Sequence, residues 1–185
     1  DTTQPLVIDP VLSYSTYLGG SGVTTPEQAS AIKVDANGSA YIAGVTNSTN
    51  FPATAGAYQL ALKGTSDAFA ARLNAAGNAL VFSTYLGGTG PEWAAGIGID
   101  SSGSAYVSGY TSSVDFPLAG AVQATYGGVQ DAFVSKLNNT GNTLGFSTFY
   151  GGSGADSANA LAVDANGNMY VGGQTSSLNL PLTGP

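Results

Sequence analysis

Short apolar segments separated by turn residues run along the whole chain and predict strands. Residues 80–86, Leu-Val-Phe-Ser-Thr-Tyr-Leu, alternate with the period of two that is typical of a strand. Residues 29–34, 39–46 and 68–73 are rich in small, β-branched and aromatic side chains, a composition found in strands. No stretch has a helical period, and glycine or proline interrupts every candidate. The pattern predicts an all-β protein.

Three blocks of sequence recur in the same order along the chain. The first is Ser-Thr-Tyr-Leu-Gly-Gly, with Ser-Thr-Phe-Tyr-Gly-Gly as its last copy, at residues 15–20, 83–88 and 147–152. The second starts with Asp, a variable residue, Asn or Ser, and Gly, at residues 35–38, 100–103 and 164–167. The third is Asp-Ala-Phe followed three residues later by a basic residue, at residues 67–72 and 131–136. The later copies are 64 residues apart, and each such period holds four predicted strands.

Four short antiparallel strands that repeat at this spacing are typical of a β-propeller blade. The blocks Tyr-Ser-Thr-Tyr-Leu-Gly-Gly at 14–20 and Asp-Ala-Phe-Val-Ser-Lys-Leu at 131–137 resemble the bacterial SBBP family of beta-propeller repeats, the seven-bladed type. The resemblance covers nearly the whole chain and implies a propeller fold and a secreted bacterial setting. It implies little about activity, because the family is known mainly as a building module. We expect the first strand at the inner edge of each blade, where crowding favours small residues: Ala31, Gly96 and Ala160, with Lys33, Gly98 and Ala162.

The repeats indicate one propeller unit, residues 1–185, that does not consist of whole blades. Two complete blades are predicted at residues 29–86 and 94–150. Residues 158–185 hold only the first two strands of a third blade, a C-terminal half-blade. The missing strands are predicted in an N-terminal half-blade, residues 1–18. The third blade is therefore predicted to be split between the two ends.

Within the N-terminal half-blade, Pro5–Asp9 is predicted as strand three and Val11–Leu18 as strand four. Three blades are too few to close a propeller, which typically has about four to eight. We therefore expect the C-terminal half-blade of one chain to pair with the N-terminal half-blade of the next, by strand addition in a head-to-tail contact. The alternative is that residues 1–185 are a stretch of a longer propeller.

Composition and charge exclude several classes of function. Only four residues are basic and eleven are acidic, so no patch could neutralise phosphates, and nucleic-acid binding is not expected. The chain has no histidine and no cysteine, which removes imidazole and thiolate metal sites and the Ser-His-Asp triad. No apolar run is long enough to span a membrane, and no cofactor or metal ion is expected. Low charge with many Ser, Thr, Asn and Gly residues favours an extracellular or cell-surface location.

A few residues are candidates for ligand binding. Glu27, Glu92 and Asp156 occupy equivalent places between repeats, so carboxylates around an axis could bind a cation or a polar ligand. Trp93 and Tyr126 lie in the same connections and could stack on a sugar ring. The alternative is that the carboxylates are ordinary loop residues and that Trp93 packs between blades. The Asp residues of the second block are interpreted as hairpin turns rather than calcium ligands.

Three classes of function remain from the sequence. The first is a self-assembling extracellular structural protein, a subunit of a filament, sheath or surface array, whose partner is a further copy of itself. The second is a binding module, for carbohydrate among other ligands, that uses the loop face. The third is an enzyme, which the absence of histidine, of cysteine and of a convincing carboxylate pair disfavours. We adopt the first class as the prediction.

Overall fold

The computed structural model describes residues 12–22 and 27–181, and these residues form strands, turns and loops. They contain no helix, and hence none that is long and apolar enough to cross a membrane. The all-β prediction is confirmed. The strands are β1 (Gln28–Val34), β2 (Ala40–Thr46), β3 (Asp67–Leu73), β4 (Leu80–Leu86), β5 (Glu92–Ile99), β6 (Ala105–Thr111), β7 (Asp131–Leu137), β8 (Leu144–Tyr150), β9 (Asp156–Val163) and β10 (Met169–Thr175).

The strands form three antiparallel sheets in chain order. The first sheet is β1-β2-β3-β4 and the second is β5-β6-β7-β8. The third sheet has only two strands, β9 and β10. The first strand of the second sheet, β5, lies between β1 and β9. In the described part of the chain the sheets stand side by side and do not close into a ring.

The turn between the first two strands of each sheet is built by an aspartate. Asp35 Oδ1 accepts hydrogen bonds from the backbone N–H groups of Asn37 and Ser39, both at 2.9 Å. Gly38 completes the turn with a φ of 85°, a left-handed conformation that suits glycine. Asp100 and Asp164 bind the equivalent amides of their own turns. The interpretation of these blocks as hairpin turns is confirmed.

A bulge recurs in the first strand of every sheet and explains a glycine in the second strand. The pairing register shifts at Ala29–Ala31 in β1, and β5 and β9 have the same shift. The backbone there comes so close to Gly44 that an added Cβ atom would lie 1.9 Å from Gln28 O. Gly109 and Gly173 have the same close approach. Only glycine therefore fits at this point of the second strand.

Two of the six inner-strand residues expected in crowded positions, Gly96 and Gly98, face large side chains of β9, whereas Lys33, Ala160 and Ala162 are exposed. A Cβ atom on Gly96 would lie 3.0 Å from Leu161 Cβ, and one on Gly98 would lie 2.5 Å from Val163 Cγ2. The core between the first two sheets is a cluster of buried residues that includes Phe82, Leu86, Ile97, Val107, Phe133 and Phe149. The small residues of β5 thus allow the third sheet to approach the second.

Residues 12–22 differ from the prediction of a strand over Val11–Leu18. Residues 12–18 form no strand, because no strand of the described chain pairs with them. They nevertheless take the place of a strand four. Tyr14 packs over Gly77, as Phe82 of β4 packs over Gly141 one repeat later, and Leu18 contacts the core of the first sheet. Residues 1–11, with the predicted strand Pro5–Asp9, lie outside the described residues.

Candidate functional site

Glu92, one of the candidate ligand-binding carboxylates, is directed into the protein. It is the first residue of β5 and is 1% exposed. Its Oε2 accepts a hydrogen bond from Gly88 N at 2.8 Å. Its Oε1 accepts hydrogen bonds from Thr111 Oγ1 at 2.7 Å and from Ser113 Oγ at 2.5 Å. The carboxylate therefore joins the turn before β5 to the loop after β6.

Glu27 and Asp156 make the same connection in the other two repeats. Glu27 accepts from Gly20 N at 2.6 Å and from Thr46 Oγ1 at 2.7 Å. Asp156 accepts from Gly152 N and from the Ser177 hydroxyl, both at 2.7 Å. Three carboxylates that the sequence placed at equivalent positions thus have one structural role. Each binds the second glycine of a Gly-Gly turn.

A second set of contacts closes each connection. Thr89 donates from its backbone N–H and its hydroxyl to Asp115 Oδ1, at 2.9 and 2.8 Å. Gly90 N donates to Ser113 Oγ at 2.7 Å. Ser21 with Asn50, and Ser153 with Asn179, repeat the first contact. We call the whole set the latch: the carboxylate, the Gly-Gly-Ser/Thr-Gly turn after strand four, and the Thr-x-Ser-x-Asn/Asp loop after strand two of the next repeat.

Burial changes the acidity of the latch carboxylates. Burial raises the pKa of Glu92 to about 7, although the hydroxyls of Ser113 and Thr111 and the amide of Gly88 oppose that rise. Burial acts in the same direction on Asp156, but hydrogen bonds from Thr175, Gly152 and Ser177 outweigh it and lower the pKa of this carboxyl group. The latch of the open third sheet therefore keeps its charge more readily than the enclosed latch of the second sheet.

The two aromatic candidates differ in their surroundings. Trp93 is half-buried and lies within β5, one residue after Glu92, rather than in a loop. Tyr126 does lie in the loop before β7; its ring meets Phe149 edge-on with centroids 5.7 Å apart, and its hydroxyl donates to Val129 O at 2.6 Å. Among residues 12–22 and 27–181, no three acidic, histidine or cysteine side chains form a group that could hold a metal ion. Ligand binding by the five candidate residues stays a prediction.

Two ion pairs stabilise the turns of the complete sheets. Arg72 of β3 lies 3.1 Å from Asp35 Oδ2, and Lys136 of β7 lies 3.0 Å from Asp100 Oδ2. Both cations also lie over a tyrosine ring of the neighbouring strand. In the third sheet Asn168 Nδ2 donates to Asp164 Oδ2 at 2.8 Å instead. In that turn Asn168 supplies the hydrogen bond to Asp164 Oδ2 that a basic residue on the third strand supplies in the other two sheets.

An apolar groove of about 510 Å³ lies between the second and third sheets. It is lined on one side by the face of β7 and β8 and on the other by β9 and β10, including Ala132, Val134, Phe146, Tyr150 and Val171. The equivalent face of the first sheet is covered: Ala68, Ala70, Phe82 and Leu86 are buried in the core together with Phe133 and Phe149 of the second sheet. The groove is open because, among the described residues, the third sheet has no third and fourth strands to supply such rings.

Tyr17 is a fully exposed aromatic residue at the opposite end of the molecule. The repeated Ser-Thr-aromatic block places it in register with Tyr85 of β4. Phe149 of β8 occupies the corresponding place one repeat later, and both of these rings are completely buried. Tyr17 thus exposes to solvent a ring at the position where β8 buries Phe149 in the core shared with the first sheet.

Comparison with known proteins agrees with the repeat pattern. The model of the SBBP family, described as a beta-propeller repeat, matches residues 13–52, 81–117 and 140–181. Each match contains one complete latch. The regulatory protein FlaEY of Caulobacter vibrioides is 39% identical over 84 residues, which are 43% of this chain and 8% of that protein. The match spans only a small part of the length of that relative.

Proposed function

Because this chain belongs to the SBBP family of beta-propeller repeats, we propose that it is a non-catalytic structural protein that assembles head to tail with copies of itself outside the cell. The observation that carries the proposal is that two opposite surfaces of the described chain are complementary. One end has an open groove beside a two-stranded sheet, and the other end has an exposed Tyr17 on a segment that lies like a strand four.

The free edge of β10 supports strand addition. β10 pairs with β9 alone, so its other edge has backbone groups without a strand partner among the described residues. Such edges readily accept a strand from another chain. Residues 12–18 of a second copy would complete the third sheet in the place of its strand four. Tyr17 would then enter the groove.

The latch prepares the donor segment for this contact. Gly20 N is held by Glu27, and Ser21 is held by Asn50, so the chain just after Tyr17 is fixed to the first sheet. Tyr14 and Leu18 rest on that sheet as well. A segment held in its bound geometry loses less conformational entropy on association than a free one. The turn at Asp164 also agrees with a second copy as the partner. Asn168 donates to Asp164 in place of the basic residue found in the other two sheets, and residues 1–22 contain no Lys or Arg.

Molar mass by light scattering across a concentration series tests the proposal. We expect the mass of the natural chain to grow with concentration, to a closed oligomer or to a polymer. Tyr17→Ala should weaken assembly by about 30-fold, the effect of losing about 2 kcal/mol at a central aromatic contact. Because Tyr17 is fully exposed in the single chain, this change leaves the fold intact.

Val114→Ala is the matched control, since Val114 is an exposed apolar residue in the loop after β6 of the second sheet. It should assemble like the natural chain. A natural chain that remains a folded monomer at every concentration would refute self-assembly. A Tyr17→Ala chain that assembles normally would refute the role of the groove.

A further inference from the structure

The inner strands β1 and β9 have exposed residues at opposite ends of the row of sheets. Resting on the head-to-tail assembly proposed above, we propose that Ile32 and Val34 of β1 in one copy pack on Ala160 and Ala162 of β9 in the next copy. The partner is a second copy of this chain, and the contact lies on the inner side of the sheets, away from the Tyr17 groove.

The contact between β5 and β9 shows how inner strands meet inside the chain. Gly96 and Gly98 leave room for Leu161 and Val163, which stand directly against them. The same strand β5 has larger residues, Ile97 among them, on its other side. On β5 the small-residue side therefore faces the next sheet and the branched side faces the preceding one, whereas the corresponding side of β1 has Ala31 and the exposed Lys33.

The contact between β1 and β5 repeats this arrangement with other residues. Ala31 of β1 packs against the core cluster that contains Ile97 of β5, and the two strands adjoin. The shared bulge keeps the three inner strands in phase, because each shifts its register at the same position. Ile32 and Val34 therefore correspond to Ile97 and Ile99, as Ala160 corresponds to Ala31.

Both outer surfaces of this stack are exposed in the single chain. Ile32 is 66% exposed and Val34 is 55% exposed, beside a shallow depression of about 250 Å³. At the other end, Ala160 and Ala162 are exposed on β9. The pair that would form between copies, Ile32 on Ala160, consists of the same residue types as the internal neighbours Ile97 and Ala31. The row of inner strands therefore ends in a surface of large side chains on β1 and a surface of small side chains on β9.

The contact predicts a defined polarity. The branched side belongs to β1 and the small side to β9, so two copies cannot meet through the same surface on both. A heterologous contact of this kind generates a ring or a filament rather than a symmetric pair. Both arrangements place the Tyr17 contact and the inner contact at one interface between the same two copies.

A mixing experiment tests the inner contact. Ile32→Lys and Ala160→Glu each place a charge in an apolar contact and should each lose assembly at concentrations where the natural chain assembles. Mixing the two variants brings the introduced ammonium group of one chain against the introduced carboxylate of the other, while the remaining surfaces are natural. We expect the mixture to regain a higher molar mass, with Val114→Lys as a control that assembles throughout.

The outcomes separate this contact from the proposed function. Loss of assembly in each variant and recovery on mixing, which misfolded variants would not show, supports the inner contact. Normal assembly of Ile32→Lys and Ala160→Glu, with loss in Tyr17→Ala, overturns the inner contact and leaves the proposed function standing. Lost assembly without recovery in the mixture also overturns it, if circular dichroism shows both variants folded. A monomeric natural chain overturns both.

Discussion

Glu92 combines two properties that oppose each other, burial and charge. Its carboxylate is almost inaccessible, yet it accepts three hydrogen bonds. Burial dominates and raises its pKa from 4.5 to about 7. A carboxyl group with a raised pKa in the folded state binds its proton more tightly than in the unfolded chain. Its contribution to stability is therefore complete at low pH and is lost as the pH rises.

We predict that the free energy of unfolding falls between pH 4.5 and 7 and that Glu92→Gln removes most of this fall. The part due to Glu92 is about 3 kcal/mol, because one pKa unit corresponds to about 1.4 kcal/mol. Glutamine keeps an oxygen for Gly88 N, and the hydroxyls of Thr111 and Ser113 can accept from its amide. Denaturant unfolding at a series of pH values measures the difference.

Asp115→Asn is the control for this measurement. Hydrogen bonds from Thr89 lower the pKa of Asp115, so protonation of this carboxyl group changes the free energy of unfolding only at pH values below 3.8. The control should follow the natural chain between pH 4.5 and 7. Burial also raises the pKa of Asp67 and Asp131, so a shallow slope should remain in Glu92→Gln. Parallel curves for Glu92→Gln and the natural chain would contradict the assignment.

At the scale of the elements, the bulge in the first strand and the glycine in the second strand form one unit. The bulge brings the carbonyl of Trp93 to the place where a side chain at Gly109 would begin. Gly145 in β8 has no such neighbour, since the nearest atom to an added Cβ lies 3.9 Å away. Sterically, a side chain is therefore excluded at Gly109 but not at Gly145.

We predict that Gly109→Ala destabilises the protein by about 3 kcal/mol, because the two backbones must move apart. Gly145→Ala should be neutral or stabilise by up to about 1 kcal/mol, because alanine loses less entropy than glycine in a strand. Thermal and denaturant unfolding of both variants measures the contrast. Equal stabilities for the two variants would show that the close approach at Gly109 does not constrain the sheet.

The strands were largely predictable from sequence. Residues 80–86 were predicted as a strand and form β4 with the same bounds, and β1 begins one residue before the predicted 29–34. Alternation of apolar residues between turn signals is sufficient for that. The prediction for Val11–Leu18 is wrong over 12–18, although its register is that of a strand four. A strand needs a hydrogen-bonded neighbour, and the local sequence does not contain that information.

The sequence does not reveal the latch, although its three carboxylates stand at equivalent positions in the repeats. Glu92 and its partners Thr111 and Ser113 are separated by 19 and 21 residues, and a chain so rich in Ser and Thr does not single out two hydroxyls. The available signal was the repetition of Thr-x-Ser-x-Asn/Asp after the second strand in all three repeats. The equivalent positions led to the prediction of a shared ligand, which remains a prediction; the structure adds that each carboxylate binds backbone and hydroxyl groups of its own connection.

At the scale of the whole molecule, the two-stranded third sheet should be the least protected of the three sheets. β10 has one strand neighbour and an exposed face, whereas β6 lies between two strands of a complete sheet. We predict rapid amide hydrogen exchange in β10 at low protein concentration and slower exchange in the assembled protein. The amides of β6 are the internal control and should not change. Fast exchange in β10 at all concentrations would contradict completion of the sheet by a second copy.

Each latch crosses the boundary between two sheets, and this bears on how such a protein grows in evolution. The family matches run from strand four of one repeat to the loop after strand two of the next, so a duplicated segment of this kind carries its latch intact. The matches end at residues 52, 117 and 181, each just beyond the last latch residue, so a break at those points interrupts no hydrogen bond of the latch. A gene duplication with these boundaries would add a segment that already contains a latch, so no new connection between sheets would have to evolve. The unit that the family model matches is thus the connection between two sheets rather than one sheet.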